Sequence, residues 1–280
     1  MKRRRFPVEF VLLTIFLTLS CGGTAREPSS GPLNILVTND DGIDSPGLHA
    51  LAAALVPLGE VIVFAPSGEY SGAGASIGYI GAGVPHVHRV QRPELAGVAA
   101  SYHLDGPPAL AALLALRGLF GAVPDVVVSG INPGWNVGLA VHFSGTVGAA
   151  VTAQQLGVPG VAVSQHSGEV HRWDTAARVA ADVVAEQLAA VGAGGDVHAL
   201  SVNVPNVAIG QLAGMRHTRL SDRLPYRMRG VRMANLDGHE HRFEVGFDRD
   251  GDYDASEGTD TAAVEAGYVS ITRLRPTSAW

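Results

Sequence analysis

Between Leu33 and Pro205, short β-branched runs alternate with longer runs of helical periodicity, and this alternation most narrows what the chain can fold into. "LNILVT" (33–38), "EVIVFAP" (60–66), "PDVVVSGIN", "VPGVAVS" and "HALSVNVP" read as strands. Between them lie "SPGLHALAAALVPLG", "PPALAALLALRGLF", "SGTVGAAVTAQQLG" and "WDTAARVAADVVAEQLAAV". In the first of these, Leu48, Leu51, Leu55 and Leu58 fall at helical spacing, with Pro46 near the start. Strand, helix and strand with short links form a βαβ unit, whose crossover is right-handed and whose strands are parallel. Repetition of that unit predicts an α/β fold: three layers around a doubly wound, mostly parallel sheet. Composition agrees, since 46% of the 280 residues are hydrophobic and only 16% charged, enough for one substantial core. The net charge of −6 supplies no basic field, so no nucleic-acid polymer is expected as a partner.

Both ends differ from this core. "MKRRR" is followed by an apolar stretch from Phe10 to Leu19, too short to span a bilayer comfortably and shaped like an export signal. Cys21 follows Ser20 directly, which resembles a bacterial lipoprotein signal, although Thr18 stands where leucine is usual. The expectation is a signal peptide over 1–20, lipidation of Cys21, a flexible tether over 21–32, and an exported or periplasmic domain held to a membrane only by its lipid. The alternatives are a plain secretory signal, an uncleaved anchor, or no export. A lone cysteine permits no intramolecular disulfide. After Pro205 the chain is more polar, with Asp237-Gly238 as a hairpin signal and "GYVSITRL" as a last strand, so 206–280 reads as a C-terminal β-rich extension.

Ligands of open α/β sheets bind outside the carboxyl ends of the strands. The first strand there ends in Asn39-Asp40-Asp41-Gly42, the second in "APSGEYSGAGAS" and the third in "SGINPGWNVG"; "HFSGTVGAA" then opens a helix. Two adjacent carboxylates repel unless a cation, a proton or donors lie between them. The polar residues on offer are hard oxygen donors: Asp40, Asp41, Ser71, Asn132, Asn136, Ser144 and Thr146. No cysteine is among them and no histidine pair has zinc-like spacing, so the set suits Mg²⁺, Mn²⁺ or Ca²⁺. Each motif alone has a plainer reading. "NDDG" could be a turn, and "SGTVGAA" could be helix capping by Ser144 or Thr146 as readily as a phosphate cradle of backbone N–H groups.

Together, "ILVTNDDGIDSPGLHAL", "VFAPSGEYSGAGASI", "VVSGINPGWNVG", "FSGTVGAA", "LGVPGVAVS", "VNVP" and "TDTAAVEAGYVSIT" resemble the SurE (survival protein E) family in order and spacing, across Leu33 to Leu274. The resemblance implies a Rossmann-like core over 33–280, with an oligomerisation extension over about 206–280 in a homodimer or homotetramer. It implies a metal-dependent 5′/3′-nucleotidase using one Mg²⁺ or Mn²⁺, with nucleotides as small-molecule partners. The metal ligands carry over to Asp40, Asp41, Ser71 and Asn132, the first two also catalytic. Asn39, Asn136, Ser144, Gly145 and Thr146 fall on the phosphate side. A non-catalytic nucleotide- or phosphate-binding lipoprotein, or an exported phosphatase for other substrates, are the rival expectations.

Three departures stand out. "GPPALAA" places Pro107, Leu110 and Ala111 where the family has Thr-Pro-Ala-Asp-Cys; Ser76-Ile77-Gly78 replaces Ser-x-Thr; and the C-terminal region lacks the usual aromatic-rich stretch. Lesser candidates are weaker. "DRDGDYDASEG" has Tyr253 where a calcium loop needs glycine, and His239-Glu240-His241 is not the helical zinc motif. His142 stands two residues before Ser144, where it could protonate a leaving group or simply be solvated at the edge of the site, and no G-x-S-x-G elbow is present.

Overall fold

The structure is a computed structural model that describes residues 31–78, 85–225, 227–235, 241–248 and 254–275. The expected signal peptide, Cys21 and most of the tether lie outside these residues, as do Asp237-Gly238, His239-Glu240 and Tyr253. In chain order the strands are β1 (Leu33–Thr38), β2 (Gly59–Pro66), β3 (Val87–Arg89), β4 (Ala100–Leu104), β5 (Val126–Asn132), β6 (Gly160–Gln165), β7 (Ala199–Val204), β8 (Met215–Thr218), β9 (Arg227–Asn235), β10 (His241–Asp248) and β11 (Val269–Leu274). The helices are α1 (Pro46–Leu55), α2 (Pro108–Leu116), α3 (Gly145–Gln155), α4 (Trp173–Gly192) and α5 (Asp260–Glu265).

Nine strands form one sheet in the order β3-β4-β2-β1-β5-β6-β7-β11-β8. Strands β4, β2, β1, β5, β6 and β7 run parallel, while β3 joins antiparallel to β4 and β11 antiparallel to β7. Helices α1 and α4 pack together on one face and α2 and α3 on the other. Because strand side chains alternate, β1 sends Ile35 and Val37 into the core beneath α1 and α4, and Leu36 into the core with Phe64, Leu110 and Ala149. A strand buried on both faces needs the unbroken apolar run that "ILV" (35–37) supplies. Pro57 has no N–H with which to continue α1, which closes as a single 3₁₀ turn over Val56–Leu58 before β2.

From β1 the chain winds outward to β2 and β4, then returns to β5 on the other side. The switch point therefore lies between β1 and β5, and the residues that follow both strands share its crevice. Strands β9 and β10 form a separate antiparallel pair, whereas β11, β8 and α5 complete the main sheet. Within the stretch after Pro205, β8 and β11 thus lie in the main sheet, while β9 and β10 pair with each other. Among the described residues no helix is long and apolar enough to cross a membrane.

Candidate active site

The doublet sits where β1 ends. Asn39 is fully buried, and its amide closes the turn: Nδ2 donates to the Gly42 carbonyl (3.1 Å) and Oδ1 accepts from the Gly42 N–H (3.2 Å). That turn fixes Asp40 and Asp41 at the mouth of the sheet. Asp40 is 2% exposed, and Thr146 Oγ1 donates to its Oδ1 at 2.5 Å. Its backbone carbonyl accepts from the Tyr70 N–H (2.7 Å), which ties the loop after β2 to the doublet. Burial raises the Asp40 pKa above the usual carboxylate range, with the Thr146 hydrogen bond opposing the rise. Asp41 is raised to about 7, first by burial and then by the charges of Asp40 and Glu69, with Asn39 opposing. Its Oδ2 is buried and meets no hydrogen-bond partner.

In the loop after β2, Ser71 directly follows Tyr70, whose N–H bonds Asp40. Ser71 is exposed, and its N–H donates to Glu69 Oε1 (2.8 Å). Asn132 ends β5, next to β1 in the sheet, and its Nδ2 donates to the Gly134 carbonyl (2.7 Å). Gly130, two residues earlier, has φ of +137°, and a Cβ there would lie 2.3 Å from the Val163 carbonyl oxygen, so this strand end admits only glycine.

Helix α3 points its N-terminus at Asp40. Ser144 Oγ accepts from the Val147 N–H (3.1 Å), a standard N-cap, so its hydroxyl serves the helix. The Thr146 hydroxyl serves Asp40. The Thr146 backbone also bonds Asp40, so what remains for an anion is the dipole of an 11-residue helix and the N–H of its first residue, Gly145. Gly145 is packed against the carboxylate: a Cβ there would lie 2.8 Å from both Asp40 Cβ and Oδ2.

Asn136 lies deeper, 7% exposed, with Nδ2 donating to Ser164 Oγ (2.8 Å) and its N–H to Asn203 Oδ1 (2.8 Å). It lines, with Asn132, Trp135, His166, Ser167 and Glu265, a cavity of about 390 Å³ in which the Trp135 and His166 ring centroids are 4.1 Å apart. His142 is exposed.

Sequence reasoning passed over three contributors. Glu69 is exposed yet raises both aspartates; the signal was an acid three residues past β2 in a switch-point loop. Asn203, from "VNVP", holds Asn136 from β7. Asp260 of "TDTAAVEAG" is fully buried and accepts from the N–H groups of Gly138 and Ser221 (2.8 Å each) and of Thr261 (2.9 Å). It thereby pins the turn that leads into Ser144, although burial holds its own pKa above the usual range. The two departures after β2 and β4 also meet: a Cβ on Gly78, whose φ is +58°, would be 3.3 Å from the Pro107 ring. Leu110 and Ala111, in the place of polar residues, are buried core of α2.

The family model for "Survival protein SurE" matches residues 35–226. The chain belongs to the SurE family. A solved structure of the SurE protein from Aquifex aeolicus is 33% identical, with a TM-score of 0.69, over 86% of this chain and 93% of that one. SurE membership gives the chain a phosphatase-type function. It also accounts for the Rossmann-like layout of the mixed sheet and for the doublet, "SGIN" and "SGTVGAA" all converging on one switch point of this SurE chain.

Proposed function

We propose that this chain is a divalent-metal-dependent phosphomonoesterase that hydrolyses nucleoside 5′- and 3′-monophosphates to nucleoside and phosphate. The observation that carries the reading is the doublet itself. Two adjacent carboxylates have raised pKa values, one buried oxygen of Asp41 has no partner, and a helix N-terminus abuts Asp40. Such an arrangement is costly without a cation, and its donors are hard oxygens, which fits Mg²⁺ or Mn²⁺.

Asp40, Asp41, Ser71 and Asn132 would hold that ion, Asn132 through the amide oxygen not engaged in its turn. When bound, the ion supplies Lewis-acid stabilisation of charge developing on the phosphoryl oxygens. The chain's own residues do the rest. The N-terminal end of α3, through its dipole and the Gly145 N–H, binds the phosphoryl group, and Thr146 fixes the Asp40 carboxylate beneath it. Asp40, held in place by Thr146, would take the proton from the attacking water. One P–O ester bond breaks, water supplies the oxygen added to phosphorus, and the departing alkoxide takes up a proton. The Trp135–His166 cavity is the place for the nucleoside, whose base can stack on either ring.

The test is turnover of adenosine 5′- and 3′-monophosphates and of p-nitrophenyl phosphate. Activity should fall to background after EDTA and return on adding Mg²⁺ or Mn²⁺ alone. Full turnover in a verified metal-free sample sinks the metal reading, and turnover of p-nitrophenyl phosphate with none of either nucleotide sinks the substrate assignment. No turnover at all leaves a phosphate-binding protein.

We assign the region after Pro205 a role in self-association as a homodimer or homotetramer, and we place the domain outside the cytoplasm on a lipidated Cys21. Several acyl chains anchor stably where one binds only marginally. Cys21→Ser should therefore move the protein out of the membrane fraction or leave the signal uncleaved. Wild type found wholly in the cytosol with Met1 intact contradicts the placement.

A further inference from the structure

The pairing of β3 with β4 assembles what sequence spacing did not show. His86 and His88 are two residues apart, so their imidazoles project to one side of the same extended segment. The antiparallel register sets His88 opposite His103, and the Asp105 N–H donates to the His86 carbonyl (3.2 Å), which brings Asp105 level with His86. Potential ligand atoms of His86, His88 and Asp105 all lie within 4.8 Å of one another. His86 Nδ1 is 3.9 Å from Asp105 Oδ2. The His88 and His103 rings stack with centroids 4.9 Å apart, and His103 Nδ1 is buried and meets no hydrogen-bond partner. Ser67 Oγ donates to the other carboxylate oxygen, Asp105 Oδ1 (2.8 Å), and so orients that side chain from the residue just after β2.

We propose that His86, His88 and Asp105 form a binding site for a borderline transition-metal dication of the zinc class, with His103 beside it, separate from the oxygen site at Asp40 and Asp41. Two imidazoles and a carboxylate are a donor set that selects zinc, nickel or copper over magnesium. Ligand atoms around a tetrahedral zinc lie about 3.3 Å apart, so closing from the present separation needs only rotation of exposed side chains. The Ser67–Asp105 hydrogen bond is the kind of outer partner that orients a metal-binding carboxylate. A simple His86–Asp105 ion pair accounts for neither the second imidazole against them nor the unpartnered nitrogen of the third. Such a metal would clip the short edge strand β3 to the sheet, and this role is independent of whether the chain is a nucleotidase.

The test is zinc titration of the metal-stripped full chain in excess Mg²⁺, followed by calorimetry, with the d–d absorption of Co²⁺ as a coordination signature. Wild type and Asp41→Asn should each bind one zinc at this site. His88→Gln and Asp105→Asn should bind it roughly a hundredfold more weakly and lose the tetrahedral Co²⁺ bands. Mg²⁺-supported phosphatase turnover should be the same in His88→Gln as in wild type. Equal zinc affinity in wild type and His88→Gln overturns the proposal, as does loss of zinc binding in Asp41→Asn but not in His88→Gln, which would place the metal at the doublet.

Discussion

Asp40→Asn is expected to cost turnover on the order of 10²–10⁴-fold with no rescue by excess Mn²⁺, while Asp41→Asn recovers part of its turnover as Mn²⁺ is raised. The two carboxylates differ in what surrounds them. Asp40 is clamped on one oxygen by Thr146 and packed against Gly145, so its geometry leaves little for a substitute to adapt to. Asp41 carries the unpartnered Oδ2, and changing it to asparagine keeps the shape and removes one charge. Metal affinity should then fall by roughly a hundredfold or more, a deficit that concentration can offset. Equal and complete rescue of both variants would remove any chemical role particular to Asp40.

The same substitution changes stability in the opposite sense. Asp41 has a folded pKa of about 7 against an unfolded value near 3.9, so the folded chain holds the extra proton between those pH values. Stability of the metal-free protein is therefore fully present below about pH 4 and declines as pH rises toward about pH 7, by at most on the order of 4 kcal/mol. Asp41→Asn should flatten that decline in urea unfolding, and added Mg²⁺ should restore the wild type alone. A metal-free wild type whose stability rises across this window contradicts the assignment.

The parts of the fold that could be read from sequence are those whose burial dictates composition. Strands β1, β5 and β6 are closed in on both faces and must be apolar runs, and α1 and α4 must carry their stripes. Strand β3 is Val-His-Arg, exposed at every residue, and β8 is Met-Arg-His-Thr, nearly so. Neither has a hydrophobic signature, because an edge strand is held by backbone pairing to its neighbour. That is also why the His86–His88–Asp105 cluster escaped notice: its residues meet only through a strand pair that sequence did not announce. The site divides the same way. Asp40, Asp41, Ser71, Asn132 and the α3 start are consecutive with strand ends and could be listed in advance. Asp260 and Asn203 act from 122 and 67 residues away in sequence, through hydrogen bonds to Gly138 and Asn136 that only the folded sheet defines.

Two alanine substitutions in α3 differ in whether the atoms they displace belong to the candidate site. Glycine to alanine inside a helix ordinarily stabilises by about 1 kcal/mol, so a loss at either position must come from what the new methyl meets. At Gly148 the methyl would lie 2.2 Å from the Gly74 carbonyl oxygen, 2.5 Å from its carbon and 2.7 Å from the Ala75 nitrogen. All three are backbone atoms of the glycine-rich loop, which is itself tied down by the Gly74 N–H to the Phe143 carbonyl (3.0 Å). Helix and loop must part, and Gly148→Ala should lower stability by about 1–3 kcal/mol or more, read as a lower unfolding midpoint. At Gly145 the methyl meets a side chain, Asp40, at Cβ and Oδ2. Turning the carboxylate relieves only the Oδ2 contact; the Cβ contact remains, so the helix and the end of β1 must shift apart and Asp40 leaves the hydrogen bond from Thr146 and its place under the phosphoryl group. Gly145→Ala should therefore lower the unfolding midpoint as Gly148→Ala does and, beyond that, lose kcat by about a hundredfold in the protein that remains folded, since a misplacement of about 1 Å is enough for that. Wild-type kcat in Gly145→Ala would mean that Asp40 does not work where the helix meets it.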